Sequence, residues 1–188
     1  MAVGCTKDWK TSMASSWNKG RLVTNEASLQ STSTTQQTME LVEAKGYDTL
    51  FDNYETKSTP FRGTRVSTMT LGQLYDFSQP SNQYGQYVKT RLPPETIAYQ
   101  KGLTSTPMGK YQIIGSVLKS VADQMDLPDD TVFNKDTQDK MFLFLARDAI
   151  KRGKTPKIKR DNLRGIWEGF KHVDNATLDK LIAEVGNG

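Results

Sequence analysis

The side chains of this sequence that could do chemistry are its carboxylic acids, because the chain has one cysteine, Cys5, and one histidine, His172. A structural zinc site needs four ligands, usually cysteine and histidine, and a lone cysteine cannot form an internal disulfide. We therefore expect no metal site and no cofactor. General acid–base chemistry by aspartate or glutamate is the catalytic option that remains.

Glu43 has the most unusual position among the 21 acidic residues. It ends a predicted short helix, between Val42 and Ala44, and directly precedes a predicted β segment. A carboxyl group held against apolar neighbours at the edge of a cleft has a raised pKa and can act as an acid. Glu40 lies one turn earlier on the same predicted helix and is the competing candidate.

A second stretch with chemical potential is TSTPMGKYQI, residues 104–113, where a predicted loop ends and a helix begins. Pro107 and Gly109 are turn residues. A tyrosine hydroxyl at Tyr111 and an amide at Gln112, fixed at a helix start, could line a groove for a hydroxyl-rich ligand. The alternative is structural: Tyr111 is a half-buried aromatic, and Gln112 is a buried amide that ties the loop to the helix.

Composition describes a globular chain of 188 residues with 36% apolar and 24% charged residues. No window of the sequence is apolar for long enough to cross a membrane, and the first residues lack the apolar segment of a secretory signal. Residues 1–33 are polar and rich in serine and threonine, so we interpret them as an extension or linker, ordered in part through Trp9 and Trp17. Residues 34–188 are predicted to form one domain.

The net charge of +4 favours an anionic partner such as nucleic acid, a membrane surface or an acidic cell-wall polymer, although an ordinary solvated surface also explains it. The densest basic run is KRGKTPKIKR, residues 151–160. It contains no aromatic residue, which indicates a charged loop and not a base-stacking platform. We therefore expect no nucleic-acid partner.

Hydrophobic periodicity and capping signals predict an α+β fold in which helices dominate. Thr70 and Gln73 have the spacing of a capping box at a helix start. Residues 78–102 are predicted to be a long ordered connection with a helical turn near Glu95. The other predicted elements are a helix from Thr34 or Thr35 to near Gly46, a hairpin over residues 46–66, a helix directly after Gln112, a buried helix over residues 137–150, and helices over residues 161–170 and 174–185.

Four pieces of this chain occur in the order found in phage lysozyme-like domains. VEAKGYDTLF, residues 42–51, resembles the point where the catalytic glutamate of those domains closes a helix and a Gly-Tyr-Asp strand follows. LTSTPMGKYQI, residues 103–113, resembles the Ser-Thr, turn and Gly-Arg-Tyr-Gln of the lambda-type endolysins. The other pieces are Phe133 with the Gln138-Asp139 pair, and Trp167 near the C-terminus. The resemblance covers roughly residues 38–183.

The resemblance implies a lysozyme-like fold with a small β-hairpin lobe and a glycan-binding cleft. In such a fold Glu43 takes the place of the catalytic acid, and Tyr111 and Gln112 line the cleft. Ser105 and Thr106 lie on the loop at the cleft edge. We interpret Gln138 and Asp139 as helix N-terminal structure, because polar and acidic groups favour that end of a helix.

The activity implied by the resemblance is that of a peptidoglycan lytic transglycosylase. Such an enzyme cleaves the β-1,4 bond between N-acetylmuramic acid and N-acetylglucosamine and forms a 1,6-anhydro ring. A phage-encoded enzyme of this kind acts as a monomer on glycan strands in the host periplasm. It is delivered through a holin or as a virion component, and in the second case the extension would contact other virion proteins.

Two alternatives stay open. The T4-type lysozymes place an aspartate nine positions after the catalytic glutamate and a threonine six further on, where this chain has Asp52 and Ser58. That spacing keeps a true hydrolase in view, with Asp52 near the substrate. The second alternative is a virion structural module with a degenerate lysozyme fold and no catalysis.

Overall fold

The computed structural model describes residues 46–51, 60–91 and 106–186. These parts of the chain are mostly helical with one small antiparallel sheet, as the sequence predicts for the α+β class. The predicted extension, the helix before Gly46 and the turn near Glu95 lie outside the described residues. The elements are α1 (Leu71–Phe77), α2 (Gln83–Arg91), β1 (Pro107–Met108), β2 (Ile113–Ile114), α3 (Gly115–Gln124), α4 (Lys135–Arg152), α5 (Pro156–Ile166) and α6 (Asn175–Gly186), with 3-10 turns at Val66–Thr68 and Glu168–His172.

The predicted capping box at α1 is confirmed. The Thr70 hydroxyl accepts a hydrogen bond from the Gln73 amide at 3.3 Å, and the Gln73 side chain accepts one from the Thr70 amide at 2.9 Å. Each partner satisfies a backbone N–H that the first helical turn leaves unpaired. Local sequence therefore pairs two backbone amides at the start of α1, and the Leu71 and Gly72 amides donate to the carbonyls of Thr131 and Asp129 at 2.9 Å.

The sheet lies in a different place from the predicted hairpin. β1 and β2 pair antiparallel around the 109–112 turn, with Met108 opposite Ile113. Of the predicted hairpin over residues 46–66, the described part contributes a single bridge, from Leu50 to the free edge of β1 at Met108. Because Ile113 and Ile114 pair in β2, the following helix α3 begins at Gly115 and not directly after Gln112.

Helix α2 occupies part of the stretch that the sequence predicts to be a connection. Its buried face is short, with Tyr84 and Val88 one turn apart and both fully buried. The Tyr84 ring stacks on Phe77 of α1 at a centroid distance of 4.7 Å. Prolines on either side and a polar composition hide this pattern in the sequence, whereas packing against α1 supplies the burial that stabilises so short a helix.

Helix α4 is the central buried helix, as predicted, and α3, α5 and α6 pack against it. Its Phe142 stacks on Tyr111 at 4.5 Å and lies 4.7 Å from the Trp167 ring, whose edge meets Phe170 at 5.3 Å. This aromatic cluster joins the 109–112 turn to the C-terminal helices. No described helix combines the length and the apolar character needed to span a bilayer.

Helix α5 begins earlier than predicted and takes in half of the basic run. Thr155 caps it, its hydroxyl accepting from the Ile158 amide at 3.3 Å, and Pro156 occupies the first helical position. Both residues are strong local start signals, which the high charge of the run obscures. The helix ends at Ile166, so Trp167 lies just beyond it and precedes the second 3-10 turn.

The space around two helical glycines, Gly85 in α2 and Gly165 in α5, predicts opposite effects on stability when each is replaced by alanine. A Cβ at Gly85 would overlap the backbone carbonyl of Gln79, so we expect Gly85→Ala to lower the free energy of unfolding by about 1–3 kcal/mol. Gly165 in α5 has no atom within 4 Å of its Cβ position, so Gly165→Ala should raise it by up to about 1 kcal/mol. Urea denaturation followed by circular dichroism measures both, and equal effects would contradict the close approach at Gly85.

Candidate functional site

The 109–112 turn has two residues in the left-handed region, Gly109 with φ +73° and Gln112 with φ +50°. Glycine is required at the first, because a Cβ there would also overlap the side-chain oxygen of Gln138. Gln112 is not a glycine, so its conformation is strained and must be held by its surroundings. Its side-chain amide donates to the Gly109 carbonyl at 2.8 Å and to the Thr49 carbonyl at 3.4 Å.

The turn is bound directly to the segment 46–51, which follows the predicted catalytic glutamate. The Gly109 amide donates to the Thr49 carbonyl at 2.8 Å, beside the bridge between Leu50 and Met108. At the end of segment 46–51, the Tyr84 hydroxyl of α2 accepts from the Phe51 amide at 3.0 Å. The same hydroxyl donates to the Pro107 carbonyl at 2.6 Å. Two segments far apart in sequence are thus held together by main-chain contacts and by α2.

Gln138 of α4 is the third connection between these segments, and its side chain is 0% exposed. Its side-chain oxygen accepts from the Lys110 amide at 2.9 Å. Its nitrogen donates to the Tyr47 carbonyl at 3.0 Å and to the Phe133 carbonyl at 2.9 Å. A buried amide is stable only when its polar atoms are paired, and here the pairing fixes both segments to one helix.

The next residue, Asp139, organises a cluster of side chains that we call the Asp139 cluster: Tyr47, Tyr111, Lys135 and Asp139. One carboxylate oxygen accepts from the Tyr111 hydroxyl at 2.7 Å and from the Tyr47 hydroxyl at 3.0 Å. The other pairs with the Lys135 ammonium at 2.6 Å. Charge-assisted bonds of this kind are stronger than neutral ones, so the cluster fixes both tyrosine rings.

Burial raises the pKa of the Tyr111 hydroxyl far above its ordinary value, and the bond to the Asp139 carboxylate raises it further. Burial and Asp139 likewise raise the pKa of Tyr47. The hydrogen bond to Asp139 raises the pKa of Lys135. Both tyrosines therefore remain protonated at neutral pH and act as hydrogen-bond donors, not as acids or bases.

Lys110 brings a second cation to the cluster. The residue is 8% exposed, and its ammonium lies 5.2 Å from the centre of the Tyr47 ring and 6.0 Å from that of Tyr111. Among the described residues no carboxylate lies within ion-pair distance of it. An aromatic face offers partial compensation for a desolvated cation, and the described charges beside Tyr47 are two cations, Lys110 and Lys135, and one anion, Asp139.

Two of the residues predicted to line or border a cleft, Tyr111 and Thr106, are buried instead. Tyr111 is 1% exposed, with its ring against Phe142 and its hydroxyl on Asp139, so it positions the turn and presents no surface to a ligand. Thr106 is buried too. Its hydroxyl donates to the Ser78 carbonyl at 3.3 Å and accepts from the Gly115 amide at 3.4 Å, so it holds the loop to α1 and α3 and does not face a cleft.

Gln112 is half-buried, and among the described residues its side-chain oxygen accepts no hydrogen bond. It can therefore accept one from a ligand while its nitrogen holds the turn. The remaining predicted site residues lie outside the described residues: Glu43, Asp52 and Ser105, together with the alternatives Glu40 and Ser58.

Sequence reasoning missed the roles of Gln138, Asp139 and Tyr47. The Gln-Asp pair does lie near the N-terminus of α4, but its side chains bind the 109–112 turn and Tyr47 as well. The first-turn acid of α4 is Asp136. The sequence contained a signal for these roles, because the Gln-Asp pair and the Gly-Tyr-Asp stretch are both among the pieces that resemble lysozyme-like domains. Within the described ranges no group of three potential metal ligands comes together.

The Asp139 cluster predicts a loss of stability at alkaline pH. The pKa of Tyr111 is raised in the folded chain above its ordinary value of about 10. Its contribution to the free energy of unfolding is therefore complete below about pH 10. That contribution is lost as the pH rises further, because the unfolded chain releases the proton first. Tyr111→Phe removes a bond to a charged group and should lower the free energy of unfolding at pH 8 by about 1.5–3 kcal/mol. The same substitution should make the free energy of unfolding fall less steeply above about pH 10.

Urea denaturation at intervals from neutral to strongly alkaline pH measures this difference. Tyr75→Phe is the matched control, because Tyr75 is an exposed residue of α1 and its change at pH 8 should stay within about 0.5 kcal/mol. An alkaline fall in Tyr111→Phe as steep as in the unsubstituted chain would show that Tyr111 is not the titrating group.

Comparison with known proteins adds no relative from which a role could be transferred. The chain matches no protein-family model, no curated protein and no solved structure. The likeness to lysozyme-like domains therefore rests on the four sequence pieces alone.

Proposed function

We propose that this chain is a peptidoglycan lytic transglycosylase with a lysozyme-like fold, in which Glu43 is the catalytic acid and base. The observation that supports this proposal is a direct contact between two of the sequence pieces that carry the resemblance. The Gly109 amide of one piece donates to the Thr49 carbonyl of the other at 2.8 Å. An accidental likeness gives no reason for these two stretches to meet.

The same contact limits how far Glu43 can be from the 109–112 turn. Glu43 lies six positions before Thr49, whose carbonyl is bonded to the turn, and that length of chain spans at most about 21 Å. A carboxyl group from this end of the segment is within reach of a ligand lying along the 109–112 turn. The described residues supply the positioning groups, and Glu43 supplies the proton.

The proposed reaction needs one carboxyl group. Protonated Glu43 donates its proton to the glycosidic oxygen as the bond from muramic C1 breaks through an oxocarbenium-like state. The resulting carboxylate takes the proton of the muramic C6 hydroxyl, whose oxygen attacks C1 and closes the 1,6-anhydro ring. Glu43 ends protonated again, and no water is consumed.

Among the described residues, Gln112 is the candidate for direct contact with sugar. Its side-chain oxygen is open to a hydroxyl or an N-acetyl N–H, while its nitrogen and its strained backbone are held by Thr49 and Gly109. Tyr111 and Gln138 act behind it by fixing the turn. Such rigid support is what a binding group needs in order to keep its geometry.

A phage enzyme of this class would reach the periplasmic wall through a holin or within the virion, and in the second case residues 1–33 would contact other virion proteins. Hydrolysis is the second candidate function. It is favoured by Asp52, which directly follows Phe51, whose amide donates to the Tyr84 hydroxyl. In that reaction Asp52 would position water at C1.

Glu43→Gln should keep the fold and lower the rate of wall cleavage at least 100-fold, because the amide preserves shape but cannot donate the proton. Release of soluble glycan from purified sacculi measures the rate, and circular dichroism checks the fold. Glu40→Gln is the matched control and should keep most of the activity. Loss of activity in Glu40→Gln alone would move the catalytic role to that residue.

The identity of the product separates the two reactions. The muramic C6 hydroxyl belongs to the reacting molecule and has a high effective concentration, so we expect anhydro ends, lighter by one water than reducing ends, in mass spectra of digested glycan. Asp52→Asn should then keep substantial activity. Reducing ends as the main product, together with an inactive Asp52→Asn, would assign the protein to the hydrolases.

A further inference from the structure

The positive charge of this chain is concentrated in one short stretch, residues 151–164. It holds seven lysine and arginine residues and one aspartate, a net charge of +6 against +4 for the whole chain, so all other residues together carry −2. The stretch runs from the end of α4 into α5. A local excess of this size produces a field that attracts an anionic surface.

Helix α5 uses some of these cations to hold itself in place. Arg160 binds both carboxylate oxygens of Asp179 in α6, at 2.7 and 2.9 Å. Arg164 donates to the carbonyls of Phe170 and Val173 at 3.3 and 3.0 Å. Together with the buried Leu163, these contacts define the inner side of the helix.

The exposed residues of the other side we call the α5 outer face: Lys154, which lies just before the helix, and Lys157, Ile158, Asp161, Gly165 and Ile166 within it. Ile158 is 42% exposed and Ile166 38%, two of the four large apolar side chains exposed in the described part of the chain. Lys157 pairs with Asp161 at 2.6 Å, but both are exposed, and such a pair contributes little in water. The outer face therefore combines two lysines and one aspartate with two exposed isoleucines.

We propose that the α5 outer face binds the surface of an anionic lipid bilayer. Lysine ammonium groups attract acidic headgroups, and the isoleucines insert among the upper parts of the acyl chains. The anchored inner side keeps the helix formed, so binding requires no refolding. This activity does not depend on the proposed cleavage of the wall.

Two other anionic partners fit the outer face less well. Single-stranded nucleic acid binds on aromatic platforms, and residues 151–166 contain no aromatic residue. A carboxylate-rich wall polymer would satisfy the lysines but gives the exposed isoleucines nothing apolar to contact. The combination of cationic and apolar side chains on one face is what a headgroup region accommodates.

The test is flotation of the full chain with vesicles of phosphatidylcholine, with and without about one third phosphatidylglycerol. We expect binding to the anionic vesicles alone, and weaker binding as salt is added. Replacing both Lys154 and Lys157 by glutamine should lower the partition constant about 25-fold, since each cation near such a surface contributes about fivefold. Ile158→Ser should lower it about fivefold at every salt concentration.

The matched control replaces Lys140 and Lys180 by glutamine, two exposed lysines of α4 and α6, and changes the net charge equally. It should bind vesicles like the unsubstituted chain, and so should Glu43→Gln. An equal loss in the control would show that overall charge and not this face drives binding. Absence of binding to anionic vesicles, or an unchanged Ile158→Ser with tighter binding to duplex DNA or purified sacculi, would overturn the proposal.

Discussion

The described structure depends on one buried amide, the side chain of Gln138, which is 0% exposed and joins three backbone segments. An amide without partners in such a place would cost free energy comparable to several ordinary contacts. The folded state therefore has to bring the Lys110 amide and the Tyr47 carbonyl to this point on α4. Gly109 follows from the same constraint, because any side chain there would displace the amide.

Asp139 extends this arrangement from backbone to side chains. Gln138 fixes the positions of the two segments, and Asp139 fixes the tyrosines that project from them. The aromatic contacts of Tyr111 with Phe142 then connect the turn to the main core. A site supported in this way is rigid, and rigidity is what allows a strained Gln112 to persist at its surface.

The distribution of charge changes what a net charge of +4 means. Outside residues 151–164 the chain is slightly acidic, so attraction of the whole molecule to an acidic wall does not explain how a glycan would bind at the 109–112 turn. In the proposed function, affinity at this turn would come from hydrogen bonds and shape, with Gln112 and the cation of Lys110 nearby. The positive excess lies in residues 151–164, at the end of α4 and in α5.

The sequence by itself determined the elements whose signals act within a few residues. Thr70 and Gln73 predicted the start of α1, and apolar periodicity predicted α4 and α6. Those signals work because caps and helical faces are local. The tertiary structure alone decided that Tyr111 is buried, that Tyr84 lies in a helix, and that Gln138 reaches a partner 91 residues away. The physical reason is that a buried polar side chain takes its role from partners brought near by folding, which no spacing along the chain encodes.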